Sequence, residues 1–136
     1  MRALIPYIIS EDEIPSALDK HDWNHPVIKK ILSKCSHLFD KDVKYTKPSY
    51  INYENRAGSH EWHVDTGSSG HMAWCKYGIS VLVGVPESGG LFKYRDPDIA
   101  YTPKERYLSA VVHSSDQEHM REETDMKHKT ILIFLG

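Results

Sequence analysis

The chain has 136 residues, of which 40% are apolar and 26% charged, with a formal net charge of −2. That length supports one domain with a single core over residues 1–136, and its scattered basic residues offer no electrostatic footprint for nucleic acid. No apolar stretch approaches the roughly 20 residues that a membrane-spanning helix needs, and Cys35 and Cys75 form neither a C-x-x-C pair nor a disulfide framework, so the expected setting is a reducing cytoplasm, with neither membrane nor nucleic acid as partner.

Residues 4–9 read as a short apolar strand. Ser10 and Glu13 have capping-box spacing, and Pro15 puts the start of any helix there near Ile14. The clearest helix follows Asn24 as N-cap, with Pro26 in its first turn. Ile28, Ile31, Leu32, Cys35, Leu38 and Phe39 recur at helical spacing, while Lys29, Lys30 and Lys34 lie off that stripe. A helix covering one flank of a sheet accounts for this pattern. From residue 43 the period changes to two. Strands are expected at 43–46, 49–54, 60–65, 77–85, 91–95, 106–113 and 129–135, with turn signals such as Lys47-Pro48, Gly67-Ser68-Ser69-Gly70 and Pro86-Glu87-Ser88-Gly89-Gly90 between them. Many short strands at this spacing predict a mainly β fold, a sandwich or barrel over 43–136 with residues 1–42 as its strand-and-helix flank.

Within this frame His63-Val64-Asp65 stands out. On a strand, positions i and i+2 share a face, so the imidazole and the carboxylate can reach one ion while Val64 points away. Two imidazoles and a carboxylate on one side of a metal make the facial triad of non-haem Fe(II) sites, which keeps the remaining positions open. The second histidine must come from a distant segment. His113 ends a strand pattern and His119 stands ten residues before Lys129, so both are candidates. Lys129 shares a strand face with Ile131, Ile133 and Leu135. A lysine facing a barrel interior is costly unless it meets an anion, which argues for a bound carboxylate.

Taken in order, Tyr53, Gly58, His63-Val64-Asp65, Ile79-Ser80-Val81-Leu82-Val83, Gly89-Gly90-Leu91-Phe92-Lys93-Tyr94, His119 and Lys129 resemble the Fe(II)/2-oxoglutarate-dependent oxygenase superfamily, in particular its prolyl-4-hydroxylase-like branch. The resemblance covers about two thirds of the chain, from Ser49 to Leu135. It implies a double-stranded β-helix, a jelly-roll or cupin-like barrel, flanked by one or two N-terminal helices. It implies Fe(II) held by His63, Asp65 and His119, with 2-oxoglutarate chelating the metal. The far carboxylate of 2-oxoglutarate would pair with Lys129, and Tyr53 would add a hydrogen bond. Dioxygen would be the oxidant, with ascorbate a candidate reductant. The activity implied is hydroxylation of a C–H bond with release of succinate and carbon dioxide, and the carboxylate of Asp65 argues for hydroxylation over halogenation. A prolyl residue in a peptide or protein is the first substrate class, and a free amino acid or small metabolite the second. Two departures matter. Leu91 stands where relatives often carry an acid, and Leu135 stands where DNA-repair demethylases of the superfamily carry an arginine. A cupin-type metalloenzyme that uses no keto acid is the competing enzyme class, and a non-catalytic metal- or sugar-binding barrel is the competing binding module.

The remaining polar residues have plainer readings. His60 and His71 read as rim or surface histidines, although His71 sits in a Gly/Ser loop that could border the site. His21, His25 and His37 read as solvated, and His128, alternating with Lys129, as facing the other way. Arg95 reads as a partner in a surface salt bridge, and Arg121, beside Glu122 and Glu123, as part of a solvated turn.

Overall fold

Period-two patterning from residue 49 onward becomes strand in the computed structural model of the chain, which describes residues 1–66 and 72–136. The strands are β1 (Arg2–Ile5), β2 (Tyr50–Asn55), β3 (Gly58–His63), β4 (Tyr77–Gly84), β5 (Phe92–Tyr94), β6 (Ile99–Tyr101), β7 (Ala110–Ser114), β8 (His119–Thr124) and β9 (Lys129–Leu135). The helices are α1 (Pro26–Cys35) and the single-turn α2 (Pro103–Arg106). The strands are divided between two antiparallel sheets, ordered β1-β7-β4-β9-β2 and β3-β8-β5-β6, and from β2 to β5 and from β6 to β9 the chain crosses from one sheet to the other at each step. This is the jelly-roll arrangement expected from the sequence.

The five-stranded sheet is covered on one face by α1. Val27, Ile28, Ile31, Leu32 and Cys35 of the helix are buried, and they share a core with Ile51, Val81, Val83, Ala110, Val112, Ile131, Ile133 and Leu135. Each of these Val, Ile and Leu side chains contributes roughly 1.5–3 kcal/mol by leaving water, so the helix is held mainly by packing rather than by its short length. Its start is one residue later than the composition predicts. His25 is the N-cap, and its Nδ1 accepts the Val27 N–H at 3.1 Å. The capping box at Ser10 is present, but it closes only a 3₁₀ turn, Glu11–Glu13.

Two strands, β6 and β8, lie outside the ranges expected from the sequence; β6 is only the three residues Ile99-Ala100-Tyr101. β8 has the sequence HMREET, and its buried positions are His119, Arg121 and Thr124. Polar side chains point inward there, so no apolar alternation marks it. Residues 43–46 form no strand, and β3 stops at His63 rather than at 65. The expected strand 106–113 begins instead at Ala110, because Thr102 and Glu105 form a capping box that starts α2 with Pro103 at its first position. Among the described residues, no helix is long and apolar enough to cross a membrane.

Candidate metal centre and its cavity

The inner face of the five-stranded sheet and the facing four-stranded sheet enclose a cavity of about 550 Å³. Its wall includes Tyr50, Asn52, Glu54 and Arg56 from β2 and its end, Ser80 from β4, and Thr130, Leu132 and Phe134 from β9. The opposite sheet contributes His60 and His63 from β3, Phe92 from β5, and His119 and Arg121 from β8.

His63, Asp65 and His119 meet at this wall, with one ligand atom from each lying within 4.8 Å of the others. His63 and His119 are directly opposed in the β3–β8 pairing. Each ring is aimed by the same device. His63 Nδ1 lies 2.7 Å from the Glu61 carbonyl and His119 Nδ1 lies 2.9 Å from the Gln117 carbonyl. A carbonyl can only accept, so both Nδ1 atoms carry the proton and both Nε2 atoms present a lone pair. Asp65 lies just beyond β3, anchored by its own N–H donating to Ser115 O at 2.9 Å. Val64 borders the cavity rather than facing away from it, because the strand has already ended.

His113 is the fourth member of the cluster. Its Nε2 lies 2.8 Å from Asp65 Oδ2, while His119 Nε2 lies 3.3 Å from Asp65 Oδ1. Burial pushes the Asp65 carboxyl up, but the hydrogen bond from His113, followed by the neighbouring His119 ring, outweighs it and holds the group well below the usual carboxylate range. Burial depresses His113 despite its bond to Asp65, and burial and the neighbouring His119 depress His63, so both favour the neutral ring that a metal site requires. His60 stacks on His63 with ring centroids 3.7 Å apart, and burial followed by the charge of His63 pushes it down to about 4.

Lys129 does not reach this cavity. It shares a face with Ile131, Ile133 and Leu135 as expected, but that face packs under α1, outside the cavity. Its ammonium lies 4.3 Å from the centroid of the Tyr53 ring, and Tyr53 Oη donates to Pro15 O at 2.7 Å. Both residues expected to grip a cosubstrate therefore lie on the wrong side of the sheet. The cause is that the more apolar face of β9 meets the helix, leaving the mixed face, His128, Thr130, Leu132 and Phe134, for the cavity. His128 faces inward for the same reason.

The cavity has cations of its own. Arg106, at the end of α2, is 1% exposed; its Nη2 donates to Ser80 Oγ at 2.7 Å and its guanidinium sits 4.6 Å from the Phe92 centroid. No acidic side chain forms an ion pair with it among the described residues. Burial pushes its pKa down to about 10, well short of removing its charge at neutral pH. Arg121 is also buried, with Nη2 donating to Gly58 O at 2.9 Å. Five buried side-chain nitrogens lack a partner among the described residues, and four of them, Arg106 Nε, Arg121 Nε and both ring nitrogens of His128, belong to residues that line the cavity. Polar atoms orphaned in this way cost about 1–3 kcal/mol each unless a ligand or water meets them. The signal for Arg106 was present in Thr102-Pro103-Lys104-Glu105, a capping box that ends the preceding segment in a helical turn and swings Arg106 inward. Arg121 could have been found by its spacing of two from His119, which puts both on one strand face.

The other residues singled out in the sequence lie away from the centre. Arg95 pairs with Glu118 at 3.2 Å and stacks on Trp62 at 3.9 Å, a surface arrangement as expected. His71 lies outside the described residues.

Burial, then the charges of Arg121 and Arg106, push His128 down to about 4. An unfolded histidine titrates near 6.5. Between those values the unfolded chain binds the extra proton, so stability is lost as pH falls from about 6.5 to about 4. Denaturant midpoints of metal-free protein should fall over that window, and His128→Leu should flatten the decline while leaving the shape above pH 7 unchanged. An equally steep decline in the variant would remove His128 as its source.

No protein-family profile matches the sequence, and no curated protein matches it. Solved structures do match in fold. EvdO2 from Micromonospora carbonacea var. aurantiaca, complexed with 2-oxoglutarate, superposes with a TM-score of 0.64 at 15% identity, over 99% of this chain and 86% of its own. The alpha-ketoglutarate-dependent non-heme epimerase SnoN from nogalamycin biosynthesis gives 0.65 at 9% identity, over 99% and 77%. A Pseudomonas putida prolyl-4-hydroxylase gives 0.60 at 7% identity, over 98% and 91%. The chain thus has the jelly-roll fold of the 2-oxoglutarate/Fe(II) oxygenases, and it carries a His–Asp–His group able to hold iron inside that fold.

Proposed function

We propose that the chain is an Fe(II)- and 2-oxoglutarate-dependent dioxygenase that hydroxylates a C–H bond. The observation that carries this reading is Arg106, a fully buried guanidinium with no acidic partner among the described residues, in the cavity that also holds His63, Asp65 and His119. An unpaired buried charge is tolerated when a ligand supplies the counter-ion. A dicarboxylate that reaches from the metal to Arg106 meets that need. His63, Asp65 and His119 would hold the iron, and Arg106 with Ser80 would receive the far carboxylate. Iron and the oxo acid, when bound, supply the oxidative chemistry, while the protein orients them and excludes water. The neutral Nε2 atoms of His63 and His119 and the ionised Asp65 are the donor set a divalent ion in a facial site needs.

For the substrate we infer a small polar molecule, a free amino acid being the simplest, ahead of a prolyl residue in a polypeptide. Tyr53 and Lys129, two of the residues that carried the resemblance to the prolyl-hydroxylase branch, lie outside the cavity. The cavity wall instead carries an acid and a base side by side: Asn52 Nδ2 donates to Glu54 Oε2 at 3.0 Å, and Arg56 lies 3.8 Å from Glu54. Such a row suits the separated charges of a zwitterion.

Succinate formation from 2-oxoglutarate under iron and air tests the activity. It should be lost in Asp65→Ala and kept in Lys129→Ala. Turnover that needs no oxo acid, or that survives Asp65→Ala, would favour the cupin-type alternative. A mass-spectrometric screen of amino acids and prolyl peptides for a singly oxygenated product decides between the substrate classes.

A further inference from the structure

Asp65 is gripped from behind by a buried chain of two hydrogen bonds. Tyr94 Oη lies 2.7 Å from His113 Nδ1, and His113 Nε2 lies 2.8 Å from Asp65 Oδ2. Tyr94 is 1% exposed, His113 3% and Asp65 8%. An ionised carboxylate can only accept, so the His113 proton sits on Nε2, and Nδ1 accepts from the tyrosine hydroxyl. Burial pushes the Tyr94 hydroxyl up, so it keeps its proton to donate. This is the reverse of the wiring at His63 and His119, where Nδ1 carries the proton and Nε2 is bare. Three histidines around one carboxylate therefore divide into two roles. Two present lone pairs to an ion, and the third presents an N–H to the carboxylate.

The backbone has been cleared to make this contact. A Cβ on Gly78 would overlap Asp65 Oδ2 and come within 2.8 Å of His113 Nε2. Gly78 is directly opposite His113 in the β4–β7 pairing, so the pair of side chains lies flat against bare main chain in the middle of the sheet.

The consequence is one of coordination. Three protein donors and the two of a chelating oxo acid leave one position of an octahedron. A second oxygen from Asp65 would fill it. We propose that His113, oriented by Tyr94, is a positioning residue that ties up Asp65 Oδ2, restricts the carboxylate to ligation through Oδ1, and so keeps one metal position open for dioxygen. The proposal rests on the reading of the centre as an iron and 2-oxoglutarate site.

The test compares wild type, His113→Leu and His113→Gln, loaded with Fe(II) and 2-oxoglutarate under anaerobic conditions. Iron uptake is measured first. Nitric oxide is then titrated in as a stand-in for dioxygen, and its binding is read from the paramagnetic resonance of the iron. In His113→Leu, iron should be retained while nitric oxide affinity falls by on the order of 10- to 100-fold, the usual effect of losing a residue that orients a ligand. His113→Gln, which keeps an N–H donor, should restore most of it. Tyr94→Phe, which leaves the ring in place and removes only its orienting partner, should show a smaller loss in the same direction, and it serves if His113→Leu does not fold. Equal nitric oxide affinity in wild type and either His113→Leu or Tyr94→Phe overturns the proposal. Loss of iron and nitric oxide together in His113→Leu, without rescue by glutamine, also overturns it, since a merely structural histidine gives that result. A wild-type chain that takes up no iron overturns the centre itself, and this is visible before any nitric oxide is added.

Discussion

Arg106→Met is expected to weaken 2-oxoglutarate binding by roughly 2–5 kcal/mol, the cost of truncating one partner of a buried, hydrogen-bonded charge pair. The ligand-free fold should be at least as stable as that of wild type. Without ligand, Arg106 is a wholly buried cation held by Ser80 Oγ and the Phe92 face, with an orphaned Nε. Replacing such a charge by an apolar side chain of similar length removes its desolvation penalty, and a thioether also packs well against an aromatic ring. The two effects have opposite signs, which separates this residue from an ordinary core position. Thermal melts with and without 2-oxoglutarate read both at once. Wild type should gain about 2.7 kcal/mol at a ligand concentration of 100 Kd, whereas the variant should melt at or above the wild-type ligand-free temperature and gain less than about 1 kcal/mol at the same ligand concentration. A variant still stabilised by 2-oxoglutarate to the wild-type extent would remove Arg106 from the cosubstrate site.

Gly78→Ala should disable the metal centre through a single methyl group. The new Cβ would occupy the space of Asp65 Oδ2. β4 is the central strand of its sheet, bonded to β7 and β9 on its two sides, so its backbone has nowhere to retreat. The carboxylate must therefore rotate away from both His113 and the ion. The matched control is Gly84→Ala in the same strand, where the Cβ would lie 2.6 Å from Lys127 O and 2.8 Å from Lys129 Cβ. Both variants should lose stability, since overpacking costs about 1–3 kcal/mol. Only Gly78→Ala should lose metal from the protein that remains folded, as read by titration with Co(II). Normal metal uptake by folded Gly78→Ala would mean that Asp65 is not held where the geometry puts it.

How much of the fold and site is legible in the sequence depends on how local each feature is. The helix Pro26–Cys35 and the strands around Ile79 and Ile131 announce themselves by apolar periodicity, because their buried faces are apolar. β8 does not, because what it buries is His119, Arg121 and Thr124. A strand that furnishes a polar site hides from a search for apolar alternation. α2 is legible in principle from its capping box, but four residues are too few to compete with a strand pattern running into them.

The amino-acid order alone pointed to a mainly β sandwich or barrel, with the jelly roll implied by the resemblance, set His63 and Asp65 two apart in position to share an ion, and offered Lys129 as the cation to meet a bound anion. Folding in three dimensions chose which cation. Strand parity says that Lys129 lies with Ile131, Ile133 and Leu135, yet it cannot say which face of the sheet α1 will cover. The helix takes the more apolar face because covering it removes the most hydrocarbon from water. That choice sends Lys129 to the outside, turns His128 and Thr130 inward, and leaves Arg106 and Arg121 as buried cations in the cavity with no acidic partner among the described residues.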